Sequence, residues 1–219
     1  MERVLPGSAV AHLVWEVNRA VADHAGDHLL LHAAAAERDG AVVLLPAPRE
    51  SGKSTLVAGL VRAGMRYLTD EATAVSLTSG GVTGFAKPIG LDPGSWQVLA
   101  DLEPLTAGAP APLPSMQWLV PPLALRPDSV ATGGRAAIVV LPCYRADAPT
   151  VLQPIPRAEA LVAMAESSFN FHALGGRALH ALAALLRDAT CFRLDVSDLD
   201  TACNAISEAM PLASREVSG

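Results

Sequence analysis

Apolar residues along the chain follow two periods. Over residues 8–24, Val10, Leu13, Val14, Val17 and Val21 recur at three- and four-residue steps. That spacing predicts an amphipathic helix, with Ser8 as its N-cap. Two short apolar runs follow, 28–37 and 41–46, around Arg38-Asp39-Gly40. Asp-Gly between apolar runs is a hairpin signal, so they predict two antiparallel strands. From Lys53 the spacing turns helical again, KSTLVAGLVRAG, with Gly64 placed to end the helix. Residues 65–68 predict a strand that delivers Thr69, Asp70 and Glu71 at its end. Residues 72–77 and 82–86 flank Ser79-Gly80-Gly81, a second hairpin signal. Residues 137–141 and 151–155 read as strands. Helices are predicted over 157–167, 177–188 and 198–210, with a strand at 191–196 and a frayed tail at 214–219. Hairpins mixed with helices predict an α/β fold on a mixed rather than a purely parallel sheet.

Composition narrows this picture. The 219 residues suit one domain, 51% apolar but only 4% aromatic, so the core must be built from Ala, Val and Leu. A formal charge of −6, with 16 basic residues that form no run, argues against nucleic acid. Cys143, Cys191 and Cys203 cannot close a disulfide set and predict free thiols in a reducing compartment. The N-terminus lacks a basic stretch followed by an apolar one, so no secretory signal is expected. The uncharged stretch 104–125 holds six prolines, which forbid a spanning helix. These features predict a cytoplasmic protein with no membrane partner. The proline-rich 104–127 reads as a long irregular connection, and loops of that length are usually functional.

The chemistry concentrates in one segment. The apolar strand 41–46 runs through Ala47-Pro48-Arg49-Glu50 into Ser51-Gly52-Lys53-Ser54-Thr55, which opens a helix. Backbone N–H groups at such a helix start, together with its dipole, favour phosphate oxygens. Lys53 is placed to reach the β- and γ-phosphates, and the Ser54 hydroxyl to ligate Mg²⁺. The phosphate-loop pattern GxxxxGK[ST] is met only in part: Ala47 stands in place of its first glycine, and Glu50 brings a negative charge into the loop. No NKxD-type guanine motif is present. The acidic pair Asp70-Glu71 follows the loop helix directly, an unusually early place for the carboxylates of a phosphate-loop protein.

That order is distinctive: His32 on a strand, then Gly52–Thr55, a helix ending Arg62-Ala63-Gly64, and Tyr67-Leu68-Thr69-Asp70-Glu71. It resembles the catalytic domain of HPr serine kinase/phosphorylase, and more closely the compact HPr-kinase-like proteins of bacteria. Lys87-Pro88-Ile89-Gly90-Leu91, the 165–171 stretch, Cys191-Phe192-Arg193-Leu194 and Asp198-Leu199-Asp200 add to the likeness. It is good over 28–96 and looser over 136–206. The resemblance implies a single phosphate-loop kinase core with a mixed β-sheet and surrounding helices. Its parts would be an N-terminal helix region (1–27), a nucleotide-binding core (28–100), the proline-rich loop (104–127) and a C-terminal part (136–210). It implies ATP and Mg²⁺ as cofactors. Ser51, Gly52, Lys53, Ser54 and Thr55 match the nucleotide loop. Asp70 matches the general base for the acceptor hydroxyl, Glu71 the second carboxylate, and His32 a histidine close to the phosphates. Ser54, Asp70 and Glu71 are the expected metal neighbours. The glycine-rich signature that accompanies phosphorolysis is not found, so the likeness carries kinase and not phosphorylase activity.

Beyond the resemblance, Lys87 and Arg145 are candidate phosphate-neutralising residues. Read by themselves, Gly52-Lys53-Ser54 also suit a chance match at a helix start, Asp70-Glu71 a solvated strand end or an N-cap with its neighbour, His32 a packed core histidine, Lys87 a surface lysine and Arg145 a surface ion pair. The expected activity is transfer of the ATP γ-phosphate to a hydroxyl, serine by preference, on a small protein or peptide. Some similar proteins modify the precursors of ribosomally made peptides such as lasso peptides. A nucleotide-binding scaffold with little catalysis and a small-molecule kinase stay open as alternatives. HPr kinases assemble as hexamers, which leaves a homo-oligomer open here.

Overall fold

The hairpin centred on Asp39-Gly40 organises the fold, which a computed structural model describes over residues 26–48, 51–102 and 117–211. The helix expected over 8–24, Trp15, Glu50, most of the proline-rich segment and the 214–219 tail lie outside the described residues. Strands β1 (His28–Arg38) and β2 (Ala41–Pro46) pair antiparallel. Asp39 (φ 53°) and Gly40 (φ 81°) are both left-handed, as a two-residue hairpin turn of this hand demands.

β1 is longer than its neighbours and is used twice. Its second half, Ala33–Arg38, pairs with β2. Its other edge meets β3 (Arg66–Thr69) and β4 (Ala72–Ser76), laid end to end and both antiparallel to it. The break between them falls at Asp70-Glu71. β2 and β3 therefore run the same way on either side of β1, and their C-terminal ends lie at the same end of the sheet. β5 (Val82–Gly84) extends one side as the hairpin partner of β4. On the other side β8 (Arg135–Tyr144) and β10 (Thr190–Val196) add parallel to β2, and β9 (Val151–Pro154) closes that edge antiparallel. The order β5-β4-β1-β2-β8-β10-β9, with β3 on β1, is the mixed sheet that hairpins plus helices predicted.

Both sheet faces are covered, which explains why β1 and β2 read as unbroken apolar runs. Ala34, Ala36, Val43 and Leu45 face α1 (Lys53–Arg62) and α7 (Leu199–Ala209). Leu31, Ala33, Ala35, Val42 and Leu44 face α4 (Arg157–Glu166) and α6 (Gly176–Asp188). Gly59 lets α1 and α7 approach: a Cβ there would stand 2.7 Å from Cys203 Sγ and 2.9 Å from Leu199 Cδ1.

The irregular reading of 104–127 fails at its far end. Trp118–Val120 forms β7, paired antiparallel with β6 (Ile89–Leu91), and Pro122–Leu125 forms the short helix α3, which follows the single-turn α2 (Pro93–Trp96) in chain order. The Trp96 and Trp118 rings stack at 4.8 Å between centroids, tying this small sheet to the main core. The one-turn α5 (Phe171–Leu174) was likewise unpredicted. No helix among the described residues is long and apolar enough to cross a membrane.

Candidate functional site

α1 starts on Gly52, whose left-handed backbone (φ 85°) turns the loop after β2 into the helix. Among the described residues no side chain caps that helix start. Its dipole therefore presents partial positive charge at the loop. Lys53, the first helical residue, is buried, and its ammonium folds back on the loop. It donates to Ala47 O at 2.8 Å and Pro48 O at 2.5 Å, and lies 3.4 Å from Ser51 Oγ. The Thr55 hydroxyl shares a 2.6 Å hydrogen bond with Ser95 of α2, which fixes α1 against that turn.

Asp70 is the centre of the arrangement. Because β2 and β3 end together, the break after Thr69 lies across β1 from the loop. There Asp70 is 5% exposed and accepts four hydrogen bonds. Oδ1 accepts from Tyr67 OH at 2.8 Å and Lys87 Nζ at 2.7 Å. Oδ2 accepts from Ser54 Oγ at 3.2 Å and the Gly90 N–H at 3.1 Å. A carboxylate has about four lone-pair sites, and all four are used. A proton or cation arriving at Asp70 must displace one of these donors. Tyr67 is fully buried, and burial first, then the Asp70 charge, push its hydroxyl pKa up. It therefore stays a neutral donor at any ordinary pH.

Glu71 stands beside this centre, its Oε2 3.5 Å from Lys87 Nζ. His32 donates from Nδ1 to the Glu71 carbonyl at 3.1 Å, and its ring meets Phe169 edge-on at 5.8 Å. One cluster thus holds Ser51, Lys53, Ser54, Asp70, Glu71, Lys87 and His32, with Gly52 and Thr55 supporting the helix that carries it. Asp70 is not a solvated strand end, and Lys87 is not a loose surface lysine.

Arg145 has its own partner. It follows β8, the strand beside β2, and pairs with Asp195 at 3.1 Å, the arginine exposed and the carboxylate half-buried. Asn170 serves the fold: it accepts from the Leu30 N–H and donates to His28 O, both at 3.0 Å, tying the 167–170 turn to β1.

Tyr67 and Gly90 stand inside the sequence motifs, but no site role was read for them or for Ser95. Tyr67 had a usable signal, because a buried tyrosine hydroxyl needs a partner and Asp70 is three residues on. Gly90 contributes a backbone group, which no residue type announces.

The donor set suits a hard divalent cation in part. Ser54 Oγ and Asp70 Oδ2 are neighbours, and Glu71 shares Lys87 with Asp70. Among the described residues no group of three or more His, Cys, Asp and Glu side chains gathers. Two carboxylates and one hydroxyl match Mg²⁺, which keeps several waters and takes other oxygens from substrate phosphate. Set against known proteins, the chain matches no family model, and no curated protein matches it.

Proposed function

We propose that the protein is a phosphate-loop kinase of the HPr-kinase-like kind, transferring the ATP γ-phosphate to a hydroxyl of a small protein or peptide. The observation that carries this reading is the 3.2 Å hydrogen bond from Ser54 to Asp70. It joins the residue after Lys53, in the first turn of α1, to a buried carboxylate in the break between β3 and β4. Phosphoryl transfer asks for a phosphate cradle, Mg²⁺ ligands and a group that orients the acceptor, and little else. Ser54, Asp70 and Glu71 would hold Mg²⁺, which when bound neutralises phosphate charge. Lys53 turns from the loop carbonyls to the phosphates. The acceptor oxygen bonds to the γ-phosphorus as the bond to the ADP oxygen breaks, and the hydroxyl proton passes to Asp70. His32, through the Glu71 carbonyl, positions the acidic pair.

A second reading has its own support. Lys53 is already satisfied by loop carbonyls, and both Asp70 oxygens are engaged. That suits a nucleotide-binding scaffold that turns over slowly. Incubation with γ-labelled Mg-ATP and basic or neutral acceptor peptides separates the two. Label on peptide supports the kinase; ATP binding without transfer or hydrolysis supports the scaffold. Under both, Lys53→Ala weakens ATP binding roughly 10- to 150-fold, the loss of a charge-assisted contact worth about 1.5–3 kcal/mol. Unchanged affinity in calorimetry would remove the nucleotide reading itself.

A further inference from the structure

We infer that Lys87 is a resident counter-ion of the acidic pair, which a divalent cation displaces when it binds. This rests on the nucleotide-site reading above and adds a competition that the reading does not require. Lys87 Nζ lies 2.7 Å from Asp70 Oδ1 and 3.5 Å from Glu71 Oε2, bridging the two carboxylates. An ammonium and a hard divalent ion make the same demand, anionic oxygen. A cation at the 2.0–2.1 Å contact that Mg²⁺ adopts leaves no room for an ammonium on the same lone pair.

Two further observations make the exchange inexpensive. Asp70 does not depend on Lys87 for its place, because its three other donors, Tyr67, Ser54 and the Gly90 amide, are neutral and come from β3, α1 and β6. They remain when the ammonium leaves. Lys87 itself lies in the irregular stretch between β5 and β6, two residues after Phe85, which is 73% exposed. Its side chain is 28% exposed, so the released charge reaches water without crossing packed protein. A lysine is a compact point charge on a flexible stem, which suits leaving better than an arginine fork does. Once released, the ammonium remains tethered near the carboxylate that Ser54 also meets, where it is available to polyphosphate.

Metal binding alone tests this, without turnover. Mn²⁺ is titrated into wild type and Lys87→Met by calorimetry, in the presence and absence of ATP. The expected result is tighter Mn²⁺ binding by Lys87→Met without ATP, by about 5- to 150-fold, the usual range for coupled sites. Melting gives a second readout: Lys87→Met melts lower in chelator, and Mg²⁺ raises its Tm more than it raises that of wild type. If Lys87→Met does not fold, Lys87→Gln carries the same comparison. Equal or weaker Mn²⁺ binding by the variant, with ATP binding retained in both proteins, overturns the competition and leaves the nucleotide reading standing. Binding of neither ATP nor Mn²⁺ by wild type overturns both. A Tm loss that Mg²⁺ does not restore makes Lys87 a structural lysine and overturns the inference.

Discussion

At one end of β3, Glu37 of β1 is met by the Arg66 guanidinium; just past the other end, Asp70 is met by the Lys87 ammonium. The two carboxylates are similarly buried, yet they are held differently. Arg66 grips Glu37 with two parallel bonds, Nε at 2.7 Å and a terminal nitrogen at 2.8 Å, and the Gly40 N–H of the hairpin turn adds a third. Glu37 and Arg66 are also register partners across two strands. The pair is a strap: its two bonds join residues that are already opposite each other on paired strands. Asp70 has a single point charge from an irregular segment and three neutral donors from rigid elements. Its geometry is set without charge, and its charge is balanced without geometry. The same chemistry serves structure where an arginine completes it and serves a site where a lysine does.

The sharpest way to break this contrast is to neutralise each carboxylate in turn. Asp70→Asn is expected to lower phosphoryl transfer by about 10²- to 10⁴-fold, the usual worth of a positioned acid–base group. Labelled-phosphate incorporation measures it, and unaltered transfer would erase the distinction. Glu37→Gln should do the reverse. Transfer stays unchanged while stability falls by about 1–2 kcal/mol, a modest figure because Arg66 is half exposed and screened. Urea unfolding should show a lower midpoint at constant slope. A third carboxylate marks the bottom of the scale. Asp198, fully exposed at the start of α7, accepts from the Thr201 hydroxyl and the Thr201 N–H at 2.8 Å. The hydroxyl first, and the N–H second, hold its pKa below the usual carboxylate value. Its contribution is therefore full above the ordinary carboxylate range and is lost as pH falls through its lowered value. Asp198→Asn keeps a capping oxygen but should flatten that acid-side slope slightly in melts between neutral pH and pH 3.

Much of the frame was legible because its signals are local. Asp39-Gly40 fixed the hairpin, and the apolar spacing from Lys53 fixed α1, whose close by Ala63 and the left-handed Gly64 followed the expected pattern. Three-residue strands such as β6 and β7 carry no period, and their pairing depends on Trp96 meeting Trp118 across distant sequence. In the site, residues announced by type and spacing (Ser51, Lys53, Ser54, Asp70, Glu71) came together, because one motif and one strand end specify them. Lys87 was named for phosphate, and the structure puts it on the carboxylates. Arg145 was also named for phosphate; it follows β8, the parallel neighbour of β2, and its ion-pair partner is Asp195. Tyr67 and Gly90 act through the rotation of one carboxylate, which only three-dimensional packing decides.

The close approach at Gly59 bears on how the chain is assembled. The helix bearing Lys53 and Ser54 rests on Cys203 and Leu199, and Leu199 lies 140 residues further along the chain. A nascent chain can form the Asp39-Gly40 hairpin early, from neighbours alone. The face of α1 that includes Gly59 has no seat until α7 has left the ribosome and docked. Contacts of such long sequence separation form late and slowly. The helix that carries the loop's lysine, though it lies in the first third of the sequence, is thus among the last parts of the molecule to be fully seated.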